Sequence, residues 1–127
     1  MRLHRLAVMP RATRRKPRTF PAPTPELLAL VARRFRVLAD PARLLILHTL
    51  EDGELPVGEI VTRTGLAQAT VSKHLQQLHS ARFLSRRRDQ LFVYYAIADK
   101  DVLRLCQMVC GRLAEETAAV RALFTVR

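Results

Sequence analysis

Tryptophan is absent from these 127 residues, and glycine occurs only four times, at 53, 58, 65 and 111. Glycines so widely scattered cannot build the loop with which many nucleotide-dependent enzymes cradle phosphate. Cysteine occurs twice, at 106 and 110, which is too few and too close for the disulfide framework of a small secreted domain. No stretch approaches the roughly 20 apolar residues of a membrane span, and Leu6 to Met9 is shorter than a signal-peptide core of about 7 to 15 residues. The expectation is a cytoplasmic protein with no membrane partner. No nucleophile stands at a meaningful spacing from a base, and the carboxylate pair Glu115 and Glu116 reads as helix surface, so an enzyme is not expected.

Negative charge is also scarce. Basic residues outnumber acidic ones 22 to 11, for a formal charge of +11 and a pI near 11.3, which points to an anionic partner such as nucleic acid. Met1 to Pro25 contains no Asp or Glu and carries seven of the basic residues and five of the seven prolines. Such a segment buries too little apolar surface to repay ordering, so residues 1–25 are expected to be a disordered Pro/Arg-rich tail. It reads either as an arm adding non-specific affinity for DNA or as a solvated extension. The remainder, 26–127, suits one small folded domain, since 49% of the chain is hydrophobic.

Periodicity orders that domain. Leu27, Leu30, Val31, Phe35 and Leu38 recur at helical spacing from a start at Thr24 or Pro25. Asp40 and Pro41 supply a cap and first turn for a second helix, "PARLLILHTL". A third, Val57 to Thr64, is closed by Gly65, and a fourth begins near Ala67 with Val71, Leu75 and Leu78 on one stripe. The period then becomes two: "FLSRRR" and "LFVYYAI" read as a β-hairpin with a loop at Asp89-Gln90. Asp99 caps a last helix expected to run to about Phe124. The predicted class is mainly α with a small β-hairpin wing, in the order of four helices, two strands and a fifth helix.

Two short helices joined through "TGLA" and followed by a basic hairpin form a winged helix-turn-helix pattern. With Val71, Leu75 and Leu78 turned inward, Ala69, Lys73, Gln76 and Ser80 face outward, flanked by Gln68, Thr70, Ser72 and Gln77. Such a face suits a major groove, where Gln pairs with adenine, small side chains touch thymine methyls, and Lys reaches guanine or phosphate. His74 on the same helix is expected to meet phosphate or an intramolecular partner rather than a metal. Arg86, Arg87 and Arg88 would meet backbone or minor groove. A polar helix face alone is usually solvated and "RRR" alone is usually a basic loop. Their succession is the signal.

"LADPARLLILHTL" and "TGLAQATVSKHLQQLHSARFLSRRRDQLFVYYAI" resemble the ArsR/SmtB family of bacterial repressors over about Leu38 to Leu113. The resemblance implies a homodimer, joined through its first and last helices, that binds a two-fold operator and is released by a ligand. Three positions depart from the family pattern: Ala67 stands for a capping Ser, Arg82 for a Gly after the recognition helix, and the wing loop lacks its common Gly. The family's thiolate site, E-L-C-V-C-D-L, is here "ELPVGEI", with Pro56 and Gly58 at the ligand positions. Its last-helix site needs two His, and none lies beyond His79.

That leaves Cys106 and Cys110, which share a helix face. Apolar packing is their expected role, since free Cys behaves as a small hydrophobe. A soft metal ion held by thiolates of two chains, or redox pairing between protomers, stays open as an alternative. His48 is expected to be buried between helices. The functional expectation is a sequence-specific DNA-binding regulator with double-stranded DNA as partner. The competing one is a winged-helix interaction module with only non-specific nucleic-acid binding, and sequence preference in DNA binding separates the two.

Overall fold

The computed structural model describes residues 22–124, so His4 and most of the expected basic tail lie outside the described residues. Helix α1 spans Pro25–Leu38, α2 Pro41–Thr49, α3 Val57–Thr64, α4 Gln68–Ser80 and α5 Lys100–Glu116. A sheet of three strands, β1 Leu55–Pro56, β2 Leu84–Asp89 and β3 Phe92–Ile97, has the order β1-β3-β2, antiparallel throughout. A single turn, α6 (Ala118–Arg121), follows α5.

The chain divides at Val31 into a short N-terminal unit and a main unit. In the first, the Thr24 hydroxyl accepts from the Leu27 amide at 3.1 Å, satisfying one of the donors that open α1. Leu27, Leu28, Leu30 and Val31 are all exposed there.

In the main unit, local chemistry sets the helix ends. Asp40 has an extended backbone, and its carboxylate accepts from the Ala42 and Arg43 amides at 2.8 and 3.1 Å, while Pro41 occupies the first turn. Gly65 ends α3 at φ 74°, a left-handed conformation that glycine reaches without strain. The core comprises Leu38, Ile46, Leu47, Leu50, Ile60, Val71, Leu75, Leu78, Phe83, Leu84, Tyr95 and Val102. Each fully buried aliphatic side chain contributes about 1.5–3 kcal/mol, so the inward stripe of α4 is what seats that helix on α2 and α3.

Three expectations need correction. The sheet has a third strand, because Leu55 and Pro56 pair with Tyr95 and Tyr94. Two residues are too short to show a period, and Pro56, which cannot donate, fits an edge strand. The wing loop is Gln90-Leu91 rather than Asp89-Gln90, since Asp89 pairs with Phe92. Finally, the last helix stops at Glu116: Thr117 is extended, and its hydroxyl accepts from the Val120 amide at 3.0 Å to start α6. A β-branched residue whose side chain caps a new turn interrupts what the apolar spacing alone reads as one helix.

Candidate nucleic-acid interface

The face begins with how α4 is held. Val71, Leu75 and Leu78 have no exposed surface. That roll of the helix leaves Gln68, Ala69, Lys73, Gln76, Gln77 and Ser80 exposed, and Thr70, Ser72 and His74 half-buried. Ala67 precedes the helix with no side-chain cap, so the first amides of α4 remain available to an outside acceptor. At the other end Arg82 takes φ 69°, and the Arg82 and Phe83 amides donate to the carbonyls of His79 and Leu78 at 2.9 and 3.0 Å. This is a Schellman stop, completed by burial of both Phe83 and Leu78. His79 sits edge-on to Tyr95, with ring centroids 6.4 Å apart.

The wing follows at once, anchored by Leu84 in the core. Directly opposed residues of an antiparallel pair share a face, so Arg86 and Arg88 lie with Leu84, Tyr95 and Val93 on one side, and Arg87 lies with Tyr94 on the other. Between α4 and the wing is a cleft of about 460 Å³, whose walls include Ser72, Leu75, Gln76, Arg86, Arg88, Val93 and Tyr95.

Arg87 also reaches the cleft wall, but its guanidinium is engaged elsewhere. It donates twice to the Glu54 carboxylate, at 2.9 and 2.6 Å, lies 3.7 Å from Asp89, and stacks 4.4 Å from the Tyr94 ring centroid. The hydrogen bond from Arg87 holds the Glu54 carboxyl below its usual range, and the same bond raises the Arg87 guanidinium further. Of the three consecutive arginines, Arg87 thus ties the wing to the segment before β1. Among the described residues, Lys73, Arg86 and Arg88 make no side-chain hydrogen bond or ion pair. Their charge is available to an external anion.

Arg43, which sequence reasoning quoted but left without a role, is the hub behind α4. Its Nε and Nη2 donate to the carbonyls of Val37 and Arg36 at the end of α1, and its Nη1 donates to Gln77 Oε1 at 2.7 Å and lies 3.2 Å from His74 Nδ1. His74 therefore has an intramolecular partner, one of the two alternatives expected for it. The Asp40 carboxyl is held below its usual range, first by the Arg43 amide and also by the Ala42 amide and the charge of Arg43.

His48 overturns its expectation. Its side chain is 59% exposed and lies 3.2 Å from Glu51, whose carboxylate also accepts from Gln107 of α5 at 3.2 Å. The apolar neighbours at Ile46 and Leu47 turn inward, and helical geometry then carries position 48 out. Cys106 is half-buried and Cys110 exposed, so neither belongs to the core of this chain. Burial, with a lesser contribution from Cys110, pushes the Cys106 thiol up. Among the described residues no three His, Cys, Asp or Glu side chains converge as a metal site.

A buried stripe, a turn closed by glycine, an outward polar face and a basic ribbon now stand together in one unit. The family model described as bacterial regulatory protein, arsR family, matches residues 40–86. Nodulation protein NolR of Rhizobium meliloti is 35% identical over 83 residues, covering 65% of this chain and 68% of that one. The chain belongs to the ArsR family. The transcriptional repressor SmtB homolog of Synechocystis sp. is similarly related, at 34% identity over 96 residues, 72% of this chain and 73% of that one. Among solved structures, the homodimeric winged helix-turn-helix DNA-binding domain Mb0332 (fragment 1–100) of Mycobacterium bovis matches with a TM-score of 0.65 at 37% identity, over 76% of this chain and 93% of that one. As an ArsR-family member the chain is a winged helix-turn-helix transcriptional regulator and not an enzyme. Among the described residues no helix is long and apolar enough to cross a membrane.

Proposed function

We propose that the chain is a homodimeric repressor that lays α4 in the major groove of a two-fold operator and sets its wing against the flanking backbone. One observation carries this reading: Lys73 on the exposed face of α4 and Arg86 and Arg88 at the cleft beside it have no side-chain partner among the described residues, whereas Arg87 between them is bonded to Glu54. Gln68, Ala69, Lys73 and Gln76 then read bases, Thr70, Ser72, His74 and Gln77 flank them, and Arg86 and Arg88 meet phosphate or minor groove. Arg87 supports the wing. The basic arm, 1–25, adds affinity without sequence preference.

Dimerisation is proposed through the first and last helices, on the strength of their own surfaces. Beyond Val102, α5 leaves Met108, Val109 and Leu113 exposed, and α1 leaves Leu28, Leu30 and Phe35 more than half exposed. Apolar stripes of this kind are what a second copy covers. Cys106 and Cys110 lie on the same stretch of α5 and pack within that interface. A soft metal ion is the competing reading, because a complete ligand set needs thiolates from both copies.

The test is fluorescence anisotropy on a duplex that the protein selects from a random pool and on a scrambled duplex of equal length. A repressor prefers the selected duplex by about 10³-fold or more. Equal affinity, with only a steep salt dependence, identifies instead a module that adheres to nucleic acid without reading it. Repeating the titration with zinc, cadmium and arsenite on wild type and on Cys106→Ser/Cys110→Ser assigns the cysteines. Release of wild type alone makes them ligands, and no release of either protein leaves them as packing.

A further inference from the structure

Arg43 sits in the first turn of α2 with its side chain only 15% exposed, and it is bonded to two other segments, the end of α1 and the flank of α4. One bond goes to the Val37 carbonyl at the end of α1, a second goes at 3.4 Å to the Arg36 carbonyl, which also accepts from the Ala39 amide, and the guanidinium stands 4.0 Å from Asp40. The remaining Nη1 hydrogens point to His74 and Gln77 of α4. A guanidinium only donates. His74 Nδ1 must then offer its lone pair, which places the ring proton on Nε2. Gln77 must turn its carbonyl oxygen to Arg43, which turns its NH₂ group away.

We propose that Arg43 is a positioning residue that makes His74 and Gln77 donor-only contacts, directing them to DNA phosphates rather than to base pairs. The inference rests on the major-groove reading of α4. The chemistry is asymmetric: a glutamine that reads adenine uses its oxygen and its NH₂ together, whereas a phosphate oxygen accepts from any N–H. Gln68 and Gln76, whose side chains have no partner among the described residues, keep both functions. Gln77 turns its oxygen to Arg43 at 2.7 Å, so its oxygen and its NH₂ do not both face one adenine edge. The recognition helix thus carries two classes of polar residue, and a residue 31 positions before His74 in the chain separates them.

Long-range ¹⁵N–¹H spectra of the folded protein report the His74 tautomer, and anisotropy on the selected and scrambled duplexes reports the consequence. Wild type is expected to hold His74 as the Nε2–H form. Arg43→Lys, whose single ammonium cannot reproduce the planar fork, is expected to give a tautomer mixture and about tenfold weaker binding to both duplexes, with their ratio preserved. In a His74→Ala/Gln77→Ala background the same substitution is expected to cost less than about twofold, because its route to DNA is gone. An Nδ1–H tautomer in wild type overturns the assignment, as does an undiminished tenfold cost in the double background. Should Arg43→Lys fail to fold, the wild-type tautomer and the separate His74→Ala and Gln77→Ala variants decide: each is expected to weaken both duplexes alike, and a loss confined to the selected duplex overturns the phosphate assignment. Wild type that shows no sequence preference overturns the groove reading itself, and the spectra still test Arg43 independently.

Discussion

Arg82→Gly is the sharpest perturbation available, because it touches one backbone torsion and no core atom. Arg82 holds φ 69° as the residue that ends α4, where two backbone bonds, to His79 and Leu78, depend on that conformation. An L-residue with a Cβ pays about 1–2 kcal/mol there, which glycine avoids. Against this gain, glycine adds about 0.4–1 kcal/mol of unfolded-chain entropy. At mid-range values the net expectation is a stabilisation of about 0.8 kcal/mol, or a rise in Tm of about 3–6 °C for a domain of this size. Thermal unfolding at fixed protomer concentration measures it, since a self-associating protein shifts Tm with concentration. Arg82→Ala is the control. It removes the same charge and the same long side chain but retains the Cβ, so it is expected to leave Tm where wild type has it. Equal gains for Ala and Gly would trace the effect to charge relief in a strongly basic protein and refute the conformational argument. A loss of stability for Gly would refute it outright.

Other outcomes follow from the same structure. Glu54 is depressed below its ordinary 4.5 by the hydrogen bond from Arg87, so the stability it contributes is present above that value and is lost as pH falls through the folded value. Glu54→Gln should unfold at lower urea than wild type at neutral pH, with the gap closing on acidification; a gap constant in pH would show the pair is not ionic. Arg86→Ala and Arg88→Ala should each reduce the slope of log K against log salt by about 0.9, whereas Arg87→Ala, already paired internally, should leave it unchanged. Equal slopes for all three would remove the distinction drawn from the wing register. Leu113→Glu, at a position 43% exposed on α5, should give monomers in sedimentation and lower operator affinity, and a persistent dimer would place the interface elsewhere.

Much of this fold was legible because its signals are local. Asp40, Pro41 and Gly65 act within three or four residues of themselves, and the stripe Val71, Leu75, Leu78 needs only helical periodicity to declare its inner side. The polar face of α4 follows by subtraction. Arg82 was marked only by the resemblance, as standing where the family has Gly, and its left-handed φ of 69° is what the structure adds. His48 failed for a related reason: an isolated histidine has no period, and its neighbours decided its side of α2.

What only the tertiary structure decided lies in contacts between residues far apart in the chain. Three consecutive arginines are equivalent as composition, but the pairing of β2 with β3 places Arg87 apart from the other two, and Glu54, 33 residues away, neutralises it. The strand Leu55–Pro56 exists only because β3 offers it a partner. Arg43 reads as one basic residue in a helix until the chain brings the end of α1 and the flank of α4 around it. Local chemistry sets where helices start and stop because its partners are a few bonds away. The donors and acceptors that shape the DNA face come from across the fold, and only chain closure brings them together.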